Sequence, residues 1–232
     1  MLFVRSTTLL IITLVLLFGG VTPAPASAVN VTVKVLNASP DTGAIDLYDN
    51  QTLLVSNLPF RTFSRSFPLG EGLHLFRVFP AGANIATTLP IVQFNVSLPP
   101  SYSYVIGIAD RRATLFPMAI TDPAVPRAGY FRYRVVNLSP GMPSVDLVNS
   151  SGLTIIDDVT FGGAKFATLP SGRRRYHFQV RQHGTANILI DLPNTSFGSR
   201  SRQTLWLFNA NAGLRSFGAR ELKNEQFILS QD

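Results

Sequence analysis

The chain repeats itself at an interval of one hundred residues. Val35-Leu36-Asn37-Ala38-Ser39-Pro40 recurs as Val135-Val136-Asn137-Leu138-Ser139-Pro140, and Ile45-Asp46-Leu47 recurs as Val145-Asp146-Leu147. That interval is too long for a solenoid unit and about the length of a small domain. The repeat therefore predicts two copies of one module.

The spacing of apolar residues says what kind of module. Val31-Thr32-Val33-Lys34-Val35, Phe131-Arg132-Tyr133-Arg134-Val135 and Tyr176-His177-Phe178-Gln179-Val180 all alternate. A period of two puts one face of a strand inside and the other in water. Turn formers cluster at residues 37–43, 49–50, 69–72, 80–84, 169–172 and 182–184. Residues 69–72 read as a hairpin turn between strands at 63–67 and 73–79, and Ile85–Val96 reads as one further strand. No stretch of eleven residues carries a helical period. Short strands with frequent turns predict an all-β chain of two tandem antiparallel β-sandwich domains.

A basic head at Arg5, an apolar stretch from Leu9 to Phe18 and the small-residue site Ala26-Ser27-Ala28 predict a signal peptide over residues 1–28. The apolar stretch is short for a membrane span, and no later run is long enough for one. No transmembrane segment is expected after cleavage, and an uncleaved anchor is the alternative. Module 1 is expected over 29–120, a Pro-containing linker that acts as a short stiff spacer over 121–128, module 2 over 129–223, and a frayed tail over 224–232. The chain has no cysteine. Disulfides are therefore excluded, and each module must hold together through an apolar core. A 46% hydrophobic and 14% charged composition supplies that core and excludes disorder.

The Asn-x-Ser-Pro turn followed by an apolar-Asp-apolar strand resembles a family of secreted bacterial modules catalogued as domain of unknown function 4397. The family pattern is an apolar strand, then His-Ala-Ser-Pro-Asp-Ala-Pro, then Val-Asp-Val. Asn37-Ala38-Ser39-Pro40-Asp41 with Ile45-Asp46-Leu47 matches it, with Asn37 in place of His. Asn137-Leu138-Ser139-Pro140 with Val145-Asp146-Leu147 matches less closely, as a more divergent second copy. The turns at Leu69-Gly70-Glu71-Gly72 and Pro80-Ala81-Gly82 also fit. The resemblance implies an immunoglobulin-like sandwich at or outside the cell surface, and no established activity. If the family His is a ligand, Asn37 removes it; if it caps the turn, Asn does the same work.

The residues offer little catalytic chemistry. Asp46 and Asp146 are the obvious carboxylates, one per module, whereas glycoside hydrolysis usually needs a facing pair. The expectation is that Asn37, Ser39 and Asp46, with Asn137, Ser139 and Asp146, brace turns. His74, His177 and His183 lack metal-binding spacings, and Asp49-Asn50 and Asp157-Asp158 lack the calcium-loop pattern. No nucleophile elbow or phosphate loop is present. No catalytic residue, cofactor or metal is expected.

The charge carries more signal. The net charge is +7. Residues 29–125 hold six bases and six acids, while residues 126–232 hold thirteen bases and seven acids. Arg132, Arg134, Arg173, Arg174, Arg175, Arg181, Arg200 and Arg202 are the candidate anion-binding residues, because guanidinium forks suit phosphate, sulfate and carboxylate. The sequence thus reads as a non-catalytic exported surface or extracellular binding or adhesion module. Its basic second domain would contact an anionic cell-wall polymer or other envelope surface, with no nucleic-acid partner expected. One alternative is a structural envelope protein that assembles through sheet edges or a homotypic interface, and an envelope protein is the alternative partner. A secreted hydrolase is the other.

Overall fold

The computed structural model describes residues 30–100, 103–122, 124–192, 194–211, 214–223 and 226–229. The expected signal peptide lies outside the described residues. The first half contains β1 (Asn30–Asn37), β2 (Ile45–Asp49), β3 (Thr52–Leu58), β4 (Thr62–Phe63), β5 (Phe67–Gly70), β6 (Gly72–Pro80), β7 (Val92–Leu98), β8 (Ser103–Ala109) and β9 (Phe116–Thr121). The second half contains β10 (Tyr130–Asn137), β11 (Val145–Asn149), β12 (Thr154–Val159), β13 (Ala164–Pro170), β14 (Arg175–Tyr176), β15 (Phe178–Gln182), β16 (Ile188–Asp191), β17 (Thr195–Ser196), β18 (Arg202–Asn211), β19 (Leu214–Lys223) and β20 (Gln226–Leu229).

Each half is an immunoglobulin-like sandwich. In the first, the sheet β4-β1-β8-β9, with β5 also on β1, faces the sheet β3-β2-β6-β7. In the second, β13-β10-β18-β19-β20 faces β12-β11-β15-β16, and β14 pairs with β17. Pairing is antiparallel except that β1 runs parallel to β8 and β10 parallel to β18. Alternate residues fill the cores as the period-two pattern requires. Val33, Val35, Leu47, Phe76 and Ile106 pack inside the first sandwich, and Tyr133, Val135, Leu147, Phe178 and Leu205 inside the second.

Two expectations are corrected. The residues at 69–72 do not form a hairpin turn. β5 pairs with β1, whereas β6 pairs with β2 and β7, so the chain crosses from one sheet to the other. Gly72 at φ 120° makes that corner, and Gly172 at φ 113° makes its equivalent. Such backbone is strained for any residue with a Cβ. Residues 85–96 do not form one strand, because Asn84 first ties a turn: its Oδ1 accepts from Ala86 N and its carbonyl from Thr88 N. The strand begins only at Val92. Gln226–Leu229 pairs with β19 as an outer strand.

The two sandwiches do not stand apart on a spacer. The outward residues of β1, β8, β9, β10 and β18 meet in a third core of Leu36, Val105, Ile120, Val136, Leu138, Trp206 and Phe208. Trp206 is fully buried and meets Phe63 edge-on at 5.6 Å. Phe60 of the first half packs on Phe208, while Phe161 of the second packs on Phe116. Gly107 on β8 lets Leu138 approach; a Cβ there would lie 3.0 Å from Leu138 Cδ1. β1, β8, β10 and β18 are thus buried on both faces, which is why their ends read as apolar runs rather than clean alternation.

A core shared by both halves couples their unfolding. Leu138→Ala should cost about 2–5 kcal/mol. Denaturant transitions followed by Trp206 fluorescence and by far-UV circular dichroism should coincide in both proteins. Separate transitions for the two halves would contradict this coupling.

Candidate functional site

The Asn-x-Ser-Pro motif sits where the first strand of each sandwich ends. Asn37 Nδ2 donates to the carbonyls of Gly43 and Leu58, and its Oδ1 accepts from Ser39 N. Asn137 repeats this with the Val159 carbonyl and Ser139 N. Both asparagines are fully buried, and a buried amide must find such partners. The copies then differ. Ser39 Oγ reaches Asp41 Oδ1 at 3.4 Å, and that oxygen also accepts from Arg112 N. Gly141 replaces Asp41 in the second copy, and Ser139 Oγ has no partner among the described residues.

Asp46 and Asp146 are buried and act as clasps. Asp46 Oδ1 accepts from Asn57 N at 2.7 Å and its Oδ2 from Gly82 N at 2.9 Å. Asp146 Oδ1 accepts from Asp158 N at 2.7 Å and its Oδ2 from Gly184 N at 3.2 Å. Asn57 and Asp158 have φ of 49° and 45° and interrupt the registers of β3 and β12. One carboxylate therefore ties a left-handed bulge to the turn after the neighbouring strand. These oxygens are committed to backbone donors, which leaves them poorly placed for general acid–base work.

The second clasp has an additional member. His183, which occupies the place of Ala81, puts Nδ1 2.8 Å from Asp146 Oδ1. Burial alone would push the Asp146 carboxyl up, but hydrogen bonds from Asp158 N, His183 and Gly184 N hold it below its usual value. The bond to Asp146 raises His183 above its ordinary 6.5, against a smaller effect of burial. His74 is placed between Asp49 Oδ2 and the Gly70 carbonyl, and His177 against Asp191. Each histidine is thus paired with an aspartate. Among the described residues no group of three or more His, Cys, Asp or Glu side chains is arranged to hold a metal ion.

The arginines fall into three places. Arg132 and Arg202 are neighbours on β10 and β18, with Arg134 one step along on the same outward face. Arg134 is only 4% exposed. It donates to Thr121 O and Thr204 Oγ1, lies 3.5 Å from Asp122, and sits over the Trp206 ring. Burial lowers its pKa to about 10, which Asp122 opposes and Arg202 reinforces. It is a joint between the halves rather than a surface contact. Arg181 lies on the far sheet, bonded to Gln179 Oε1. Sequence alternation alone could not reveal that the polar faces of β10 and β15 look in opposite directions.

The remaining arginines share one end of the second sandwich. Gly129 O accepts from Ser171 N, Phe197 O from Gly172 N, and Tyr130 O from Arg200 N. Those bonds lock together the loops carrying Arg173, Arg174, Arg175 and Arg200, beside Arg132 and Arg202. Arg127 joins them, stacked 4.1 Å from the Tyr130 ring centre. Its sequence signal, a lone base after a proline, was too weak to single it out. Asp122 is engaged by Arg134 at 3.5 Å.

A family model described as a domain of unknown function (DUF4397) matches residues 31–148. The chain belongs to that family. The matched stretch covers the first sandwich and runs on into β11. No curated protein matches the chain. Among solved structures, it is similar to the Bacillus anthracis TIE protein at 11% identity and a TM-score of 0.25, over 79% of this chain. It spans 34% of the length of that protein. The fimbrial anchor protein Mfa2 from Porphyromonas gingivalis is matched at 11% identity and a TM-score of 0.30, over 87% of this chain and 100% of that one. A family CBM26 module of Eubacterium rectale Amy13K, solved with maltoheptaose, is matched at 8% identity and a TM-score of 0.24, over 88% and 98%.

The clasps set stability and its pH dependence. Asp46→Ala should cost about 2–3 kcal/mol by leaving two backbone donors unpaired, read from denaturant midpoints. The lowered Asp146 stabilises the fold above the ordinary carboxylate range and ceases to do so as pH falls through its folded value. The raised His183 stabilises fully below 6.5, and that contribution is lost as pH rises through its folded value. His183→Ala should therefore lower the midpoint more at pH 5.5 than at pH 9.

Proposed function

We propose that the chain is an exported, non-catalytic module that binds an anionic polymer of a cell envelope through the basic end of its second sandwich. The observation that carries this reading is the locked set of loops bearing Arg127, Arg173, Arg174, Arg175 and Arg200 beside Arg132 and Arg202. Arg173, Arg174 and Arg200 are exposed and make no side-chain hydrogen bond among the described residues. Arginine forks at such density create a positive field that attracts polyanions and can bind their oxygens in pairs. The commitment of Asp46 and Asp146 to backbone donors supports the absence of catalysis.

The same reading treats residues 29–120 and 129–223 as two tandem copies of the family module, joined through 121–128. Matching sheet orders and matching Asn and Asp clasps support it. Residues 1–28 would serve as the export signal, which places the protein outside the cytoplasm. No helix among the described residues is long and apolar enough to cross a membrane. Assembly through sheet edges finds less support at β9. Pro117 has no N–H to offer there, and the outward carbonyl of Thr121 is taken by Arg134.

Because the halves share a core, the test uses the full chain. Replacing Arg173, Arg174 and Arg175 together by Gln should weaken binding to inorganic polyphosphate about tenfold at low salt. Wild-type binding should fade as salt shortens the screening length from about 10 Å at 0.1 M to about 3 Å at 1 M. Binding unaffected by both the substitutions and the salt would refute the reading.

A further inference from the structure

We propose that the exposed part of the outward face of β13, β10 and β18 is a subsite for a uronate unit, a sugar ring bearing a carboxylate, within an acidic polysaccharide. This inference rests on the anionic-polymer reading above and names its ligand class.

Three observations on that face carry it. Arg132 and Arg202 are register partners on adjacent parallel strands, so their side chains leave the same face side by side. Arg132 is held rather than free. Its Nε donates to Thr168 Oγ1 at 3.3 Å, its Nη1 to Ala124 O at 2.9 Å, and its guanidinium lies 4.5 Å from the Phe166 ring centre. Its Nη2 makes no hydrogen bond among the described residues, which leaves donors fixed in direction before a ligand arrives. A preorganised fork loses little entropy on binding a carboxylate.

Phe166 is the third observation. It is 55% exposed, on the edge strand β13, beside the guanidinium. A large exposed ring in a basic setting gains most from a ligand with both an apolar face and an anionic group. A uronate has both: the C–H face of its ring can lie against Phe166 while its carboxylate meets the arginines. A linear phosphate polymer satisfies the guanidinium groups and leaves the ring in water. Asp122 does not cancel the charge, because Arg134 already neutralises it at 3.5 Å.

The full-length chain would be titrated with polygalacturonate and with inorganic polyphosphate. Phe166→Ala should weaken polygalacturonate binding about fivefold, with polyphosphate binding and the denaturant midpoint unchanged. Phe166→Tyr should retain both affinities, and Arg132→Gln should weaken both. An equal loss on both polymers, or none, in Phe166→Ala would overturn the subsite. So would a loss confined to a single-stranded oligothymidylate, which would point to base stacking instead. Polyphosphate binding without any polygalacturonate binding would reject the uronate and leave the polymer reading standing. Failure to bind either polymer would reject both.

Discussion

The burial of Trp206, Leu36, Val136 and Leu138 between the two sandwiches is the interaction on which the rest of the structure depends. Each sandwich has its own core, but the sheets that meet there bury both faces. Apolar burial of this kind is non-directional and scales with area, so it fixes that the halves associate. Directional contacts set how they are held. Arg134 crosses the joint to the Thr121 carbonyl and Asp122, and Gly107 makes room for Leu138. A buried guanidinium is costly unless it is paired and hydrogen-bonded, and here it is both.

The ends of the sandwiches obey the same demand. Loops at a strand's end leave backbone donors that must be satisfied without water. Asp46 and Asp146 each satisfy two, at the bulge and at the following turn. The first copy adds an Asp41 bridge and the second adds His183. Such differences are tolerated because the shared Asn and Asp geometry already closes the loops. The second copy thereby acquires a titrating partner that the first lacks.

Charge is partitioned by this architecture. One arginine is consumed at the joint, one lies on the far sheet, and the rest gather at the end where three loops interlock. The family to which the chain belongs carries no assigned function. Meaning therefore has to come from the site, and the site combines fixed arginines with an exposed aromatic ring.

Much of this was legible in the residues. The hundred-residue interval and the alternation of Val31 to Val35 and of Phe131 to Val135 follow from local pattern, because pleat chemistry acts over a few residues. What was not legible depended on partners distant in sequence. The pattern Leu69-Gly70-Glu71-Gly72 suits a hairpin, but pairing to β1 made it a crossing between sheets. The alternation that puts Arg132 and Arg134 on one face is the same for both, yet one is accessible and the other is sealed beneath the first sandwich. The sequence by itself determined the alternation of the first strands of each half and the basic excess of the second half. Only the tertiary structure decided which arginines share a surface, because that depends on which outward sheet face another sheet covers.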